Sequence, residues 1–121
     1  VFNNSSEATI NFKVVDDDQI VIDKLINYPN PFINETYFTF NHNHARSEMD
    51  VVIRIFDFSG RLVTELQHNN VSGGFYAEPI RWDGTSAGGH QLKGGLYIYQ
   101  VQVTDEEGRS TSAVKKLVIS R

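Results

Sequence analysis

The chain has no cysteine, so thiol chemistry is excluded and any nucleophile would be a serine or threonine hydroxyl. No serine sits in a strand-turn-helix elbow, and no Ser-His-Asp arrangement follows from the spacing. Carboxylates gather at Asp16-Asp17-Asp18 and at Asp105-Glu106-Glu107. Consecutive acids in a strand or turn cannot all point at one ion, and neither run has the spaced oxygen ligands and glycine of a calcium loop. Both read as solvated turns, with a calcium ion shared between a turn and a distant carboxylate left open. His42, Asn43 and His44 put two imidazoles two residues apart, but no Asp, Glu or Cys beside them completes a zinc set. They read as the polar turn after a strand, and His68 and His90 as isolated loop residues. Glycines at 84, 88, 89, 94 and 95 resemble a phosphate-binding loop only in number, because no Lys-Ser/Thr pair or helix follows. The expectation is a chain with no catalytic residue, no metal site and no cofactor.

Composition narrows the partners. The 121 residues suit one domain, large enough to hold a core without disulfides. With 11 basic against 15 acidic residues the net charge is −4, so there is no basic footprint for nucleic acid. No apolar run approaches the length of a membrane span, which argues against membrane insertion. The opening at Val1, in the polar stretch Asn3-Asn4-Ser5-Ser6, reads as a fragment cut from something longer. The Asn-x-Ser/Thr patterns at Asn3 or Asn4, Asn34 and Asn70 mark surface positions.

The elements that would position any site are strands. Ile10, Phe12 and Val14 alternate with polar residues, and further runs follow at 20–28 and 36–41. Val51, Ile53 and Ile55 face one way while Asp50 and Arg54 face the other. A turn at Phe58-Ser59-Gly60 leads into 61–67, with Gly60 able to supply a positive φ. A short strand at 78–82 precedes a glycine-rich loop, and 96–104 carries Tyr97, Tyr99, Val101 and Val103 on one face. A hairpin turn at 105–108 leads into the last run, 112–120. No window shows a helical apolar stripe, so the expected fold is an all-β, immunoglobulin-like antiparallel sandwich of about seven strands. Residues 1–19 form a linker or the last strand of a preceding domain, and residues 20–121 the immunoglobulin-like domain. The run at 10–15 could instead be an extra edge strand.

Tyr28-Pro29-Asn30-Pro31-Phe32 is the most unusual segment. Its two prolines fix φ and remove two donors, so it must cross between sheets or run along an edge. Tyr28 and Phe32 are expected to anchor its ends in the core. Trp82 reads as a core plug, with Asp83 capping the turn ahead of it at Gly84.

Five motifs then fall in a familiar order: Tyr28-Pro29-Asn30-Pro31-Phe32; Ile55-Phe56-Asp57 with Gly60-Arg61-Leu62-Val63; Trp82-Asp83-Gly84; Gly95-Leu96-Tyr97-Ile98-Tyr99; and Lys115-Lys116-Leu117-Val118-Ile119. From residue 24 to 121 the chain resembles the type IX secretion C-terminal domain (the Por secretion tail), itself similar to the immunoglobulin-like module of the flagellar hook-capping protein. The stretch Tyr37-Phe38-Thr39-Phe40-Asn41-His42-Asn43 further resembles the C-terminal domain of that system's sortase. Ile33-Asn34-Glu35-Thr36 departs from the pattern of ordinary cargo, which leaves cargo and sortase both open.

The resemblance implies a folded export signal, read by an outer-membrane shuttle and the translocon. Its protein would cross the inner membrane to the periplasm and reach the outer-membrane surface of a Gram-negative bacterium. A cysteine-peptidase-type sortase usually removes the domain and joins the cargo to surface lipopolysaccharide, while the sortase keeps its own. The recognising residues are expected in the last strand: Lys115, Lys116, Leu117, Val118, Ile119, Ser120 and Arg121. A terminal edge strand exposes backbone groups that a partner can pair with. On that expectation, deleting 115–121 abolishes export. The alternatives are a structural spacer and a carbohydrate-binding accessory sandwich, the latter using Tyr37, Phe75 and Tyr76.

Overall fold

A computed structural model describes residues 19–43, 48–71 and 74–121, without the side chains of Asn70 and Val71. The run at 10–15, Asp16-Asp17-Asp18, His44, the Asn3 and Asn4 patterns and Ser72 lie outside the described residues. Seven strands follow in order: β1 (Ile22–Tyr28), β2 (Thr36–His42), β3 (Glu48–Phe56), β4 (Leu62–Val71), β5 (Ile80–Trp82), β6 (Gly95–Asp105) and β7 (Ser110–Ile119). Among the described residues there is no helix, and so none able to cross a membrane.

The strands form a three-stranded sheet, β1-β2-β5, and a four-stranded sheet, β4-β3-β6-β7, all neighbours antiparallel. Period-two patterning produces the core directly. Val51, Ile53 and Ile55 of β3 and Tyr99, Val101 and Val103 of β6 are at most 1% exposed, and they meet Phe38, Phe40 and Trp82 of the smaller sheet. Edge-to-face contact between Phe38 and Tyr99, ring centroids 4.9 Å apart, links the two sheets at the centre. Burial there pushes the Tyr99 phenol up to about 12.

Four expectations need correction. First, β1 carries a bulge between Asp23 and Ile26, with Lys24 at φ 53°. The bulge shifts the inward parity by one residue, from Ile20 and Ile22 before it to Leu25 and Asn27 after it. Second, His42 is not in a turn but ends β2, 5% exposed and edge-on to Phe40. Third, Tyr28 is not a core anchor. It closes β1 on the outer face, 73% exposed, while Phe32 alone is buried. Fourth, β4 runs on to Val71, well past the expected end, because β3 pairs with it in unbroken register from Glu48 to Ile55.

Candidate functional site

The residues expected to carry recognition lie on β7, which forms one edge of the four-stranded sheet and pairs with β6 along its whole length. The structure splits them. Leu117 and Ile119 are 0% and 1% exposed and complete the core beneath β6. Lys115 and Lys116 are exposed, with no ion pair among the described residues.

The outer edge of Val118 to Ser120 is not open, which corrects the expected free terminal edge. The proline segment covers it. Phe32 N–H donates to the Val118 carbonyl at 3.1 Å, and Ser120 N–H donates to the Phe32 carbonyl at 2.7 Å. Val118 N–H donates to Asn30 Oδ1 at 3.0 Å, so a side chain stands in for a backbone acceptor. Phe32 and Ile119 thereby form a parallel bridge. Two prolines suit this position because the contacts to β7 come from the Asn30 side chain and the Phe32 backbone, so the missing N–H groups of Pro29 and Pro31 cost no ladder bond. The segment is held from its other side by Thr36, whose buried hydroxyl donates to the Pro29 carbonyl at 2.8 Å and accepts from Asn27 Nδ2 at 3.2 Å. Asn34, of the glycosylation pattern, is exposed, whereas Thr36 is 0% exposed.

Arg121 follows β7 and, among the described residues, binds no acid. Its guanidinium fans onto three backbone carbonyls, donating from Nε to Leu92 at 2.9 Å, from Nη1 to Ile33 at 2.6 Å and from Nη2 to Gly84 at 2.9 Å. Those carbonyls belong to the proline segment, the Trp-Asp-Gly turn and the glycine-rich loop. Gly84 sits at φ +78°, which favours glycine, and a Cβ there would also lie tightly, 3.0 Å from Arg121 Nη2 and 3.3 Å from the Phe32 ring. A Cβ on Gly94 would run into the Arg121 backbone carbonyl. Trp82 is buried as expected, edge-on to Phe32 at 5.7 Å, with its indole N–H donating to the Thr85 carbonyl. Asp83 caps the turn by accepting from the Thr85 hydroxyl and N–H, and the Thr85 hydroxyl holds its carboxyl below the usual range. Gly95 adopts φ +147°, and the Tyr97 hydroxyl donates to the Lys93 carbonyl at 2.8 Å. Phe32, Trp82, Gly84, Tyr97 and Arg121 therefore form one structural cluster at one end of the sandwich.

Sequence reasoning missed a repeated turn. Asp57-Phe58-Ser59-Gly60-Arg61 and Asp105-Glu106-Glu107-Gly108-Arg109 share the pattern Asp-x-x-Gly-Arg, a signal that was there to be read. In each, the aspartate carboxylate accepts the N–H groups two and four residues ahead and the guanidinium of the arginine, and the glycine has a positive φ. The Ser59 hydroxyl and then the Arg61 N–H lower the Asp57 carboxyl to about 2. At Asp105, 8% exposed, burial pushes the carboxyl up, but the Arg109 and Glu107 amides and the Arg109 guanidinium outweigh it and hold it low. Asp105 is thus a buried turn-former, not the solvated acid that its neighbours suggest. Among the described residues, no three of His, Asp and Glu converge as metal ligands.

The aromatic residues considered for sugar contact are all at the surface. Tyr37 is 36%, Phe75 55% and Tyr76 74% exposed. Tyr37 sits opposite Tyr28 in register, with its hydroxyl donating to Glu35, which is paired to Arg81 at 2.6 Å.

Two facing antiparallel sheets of three and four strands define the class, an immunoglobulin-like β-sandwich. Residues 30–108 match the FlgD Ig-like domain, and the chain belongs to that family. Among solved structures, the chain is similar to a segment of dimeric latent PorU from Porphyromonas gingivalis, with 33% identity over 83% of the chain and a TM-score of 0.70. It spans only 9% of that PorU chain. FlgD from Xanthomonas campestris, described for hook capping in flagellar assembly, shares the fold at 22% identity and a TM-score of 0.57, over 83% of this chain and 68% of that one. PorZ from Porphyromonas gingivalis, described as an essential bacterial surface component of the type-IX secretion system, aligns over 80% of this chain and 11% of its own at 22% identity and a TM-score of 0.44. No curated protein matches the chain.

Proposed function

We propose that this domain is a non-catalytic export and docking module of type IX secretion. It is read as a folded unit by the outer-membrane shuttle and translocon, and it delivers the attached protein from the periplasm to the cell surface. It needs no metal or cofactor, does not insert into the membrane and does not bind nucleic acid. The observation that carries this reading is the 33% identity to the PorU segment across 83% of the chain, a likeness beyond shared fold. The five ordered motifs support it, as does a surface built around a strand edge rather than an enclosed site. The test is a reporter with an inner-membrane export leader and the whole chain fused at its C-terminus. It is expressed in Gram-negative cells with and without a type IX system. Reporter accessible to external protease only in the first strain is the expected result. Folded reporter retained in the periplasm of both strains would sink the proposal.

The deletion of 115–121 is not a usable test, which revises the expectation drawn from the sequence. It removes Leu117 and Ile119 from the core together with the Arg121 contacts, so a loss of export would report unfolding.

A further inference from the structure

Backbone groups along an antiparallel strand alternate between facing the partner strand and facing away from it. On β7, Val118 and Ser120 send their N–H groups away from β6, because the proline segment takes both. Counting back in twos, Ser112, Val114 and Lys116 also face away from β6. Asn30 Nδ2 approaches the Lys116 carbonyl at 3.5 Å. Among the described residues nothing meets the Lys116 N–H, or the backbone N–H and carbonyl of Ser112 and Val114. The edge is therefore bonded beyond residue 117 and carries no hydrogen bond to the N–H and carbonyl of Ser112 and Val114 or to the Lys116 N–H, although β1 runs close to part of β7.

The open half has its own chemistry. Val114 is 60% exposed and shares a shallow apolar groove with Ile98, flanked by Lys115 and Lys116. Both lysines lack a carboxylate partner among the described residues, on a chain whose net charge is −4. An unpaired edge, an apolar notch and two unneutralised cations describe a seat for one more strand with acidic side chains. A second copy of the chain would bring two more lysines to the same short seam, which like-charge repulsion disfavours.

We propose that the open half of β7, Ser112 to Lys116, is the docking edge, and that its occupant is an extended, acidic strand of a partner protein. This deepens the reading of the domain as a recognised export module and rests on it. The partner's strand would add next to β7, bonding the N–H and carbonyl groups of Ser112 and Val114, with its carboxylates beside Lys115 and Lys116.

The test uses the whole chain, isotope-labelled, with a short capped peptide alternating valine and glutamate as probe. The same peptide with lysine for glutamate is the control. The glutamate probe is expected to shift and protect the amides of Ser112, Val114 and Lys116, and the lysine probe to leave them unchanged. Val114→Pro removes an N–H that no ladder bond uses, so the fold should survive while probe affinity falls at least about tenfold. In the reporter fusion, Val114→Pro should cut surface delivery by a similar factor. Should Val114→Pro fail to fold, Lys115→Glu with Lys116→Glu replaces it, since both side chains are exposed. If the parent fusion is exported and a folded edge variant is exported equally well, the docking edge is wrong and the export reading stands. If the parent fusion is not exported, the export reading is wrong, and the peptide titration alone decides the edge. A concentration-dependent dimer protecting 112–116 without peptide would overturn the acidic partner in favour of a second copy.

Discussion

Arg121→Ala removes three hydrogen bonds from a charged donor to the carbonyls of Ile33, Gly84 and Leu92. Such bonds contribute about 1.5–3 kcal/mol each when sheltered. Arg121 is largely exposed, and water can replace the guanidinium at two of the three carbonyls, so the sum must be discounted. A net cost of about 2–3 kcal/mol is reasonable on that basis. For a domain of this size each 1 kcal/mol lowers the melting temperature by about 4–8 °C, so the variant should melt about 8–24 °C below the parent. Arg121→Lys separates geometry from charge. An ammonium is one point donor and cannot span three carbonyls in a fan, so the lysine variant should lose more than half of the stabilisation. Because the acceptors are uncharged, the loss should be nearly the same in low and high salt. The Tyr97 phenol gives a second readout. Burial and the charge of Asp57 raise it while Arg121 lowers it, so removing Arg121 should send it higher in an ultraviolet titration. Melting of Arg121→Ala within about 2 °C of the parent, or full rescue by lysine, would refute the argument.

Three further outcomes follow from the same geometry. Thr36→Val keeps the shape but leaves the Asn27 amide and the Pro29 carbonyl unpaired in a buried place, and urea unfolding should show a loss of about 2–4 kcal/mol. Gly94→Ala drives a methyl group into the Arg121 backbone; it should destabilise the domain, and less so in an Arg121→Ala background, which a double-mutant cycle of melting temperatures would reveal. Asp57 has a carboxyl lowered to about 2, against about 3.9 in an unfolded chain. Its stabilisation is therefore complete above about pH 4 and is lost as pH falls to about 2, so Asp57→Asn should flatten the stability profile in that window. Asp105, also lowered, should behave in the same direction.

Much of the fold was legible because alternation is a local signal. Val51 to Ile55 and Tyr97 to Val103 point inward as their spacing required, and Gly60 takes the positive φ its turn needed. Expectation failed wherever a non-local partner decided the outcome. The bulge at Lys24 reverses the parity of β1, and nothing in the run from Ile20 announces the skipped residue. Tyr28 looked like a core aromatic, but its fate depends on that parity. The prolines mark an edge or crossover, yet the strand they cover lies more than eighty residues away. Arg121 is expected among the recognising residues, yet it binds three backbone carbonyls, and carbonyl acceptors leave no trace in a sequence.

On the proposed reading, the last strand does two jobs that would ordinarily conflict. A recognition edge should be accessible, whereas a strand that closes a core should be fixed in place. Here the two are divided along its length: Leu117, Ile119 and Arg121 close the domain, and the groups of Ser112 to Lys116 stay open. The closing half is the later part of the chain. The open half is held by its own pairing with β6, while the residues after it dock against Phe32, Gly84 and Leu92. On the proposed reading, a partner that adds a strand at 112–116 binds beside the residues that close the domain and not through them. It follows that variants at Arg121 should weaken docking in proportion to the stability they lose, whereas variants at Val114 should weaken it at constant stability. Measured on one set of proteins, that contrast distinguishes an edge that is read from a fold that is merely required.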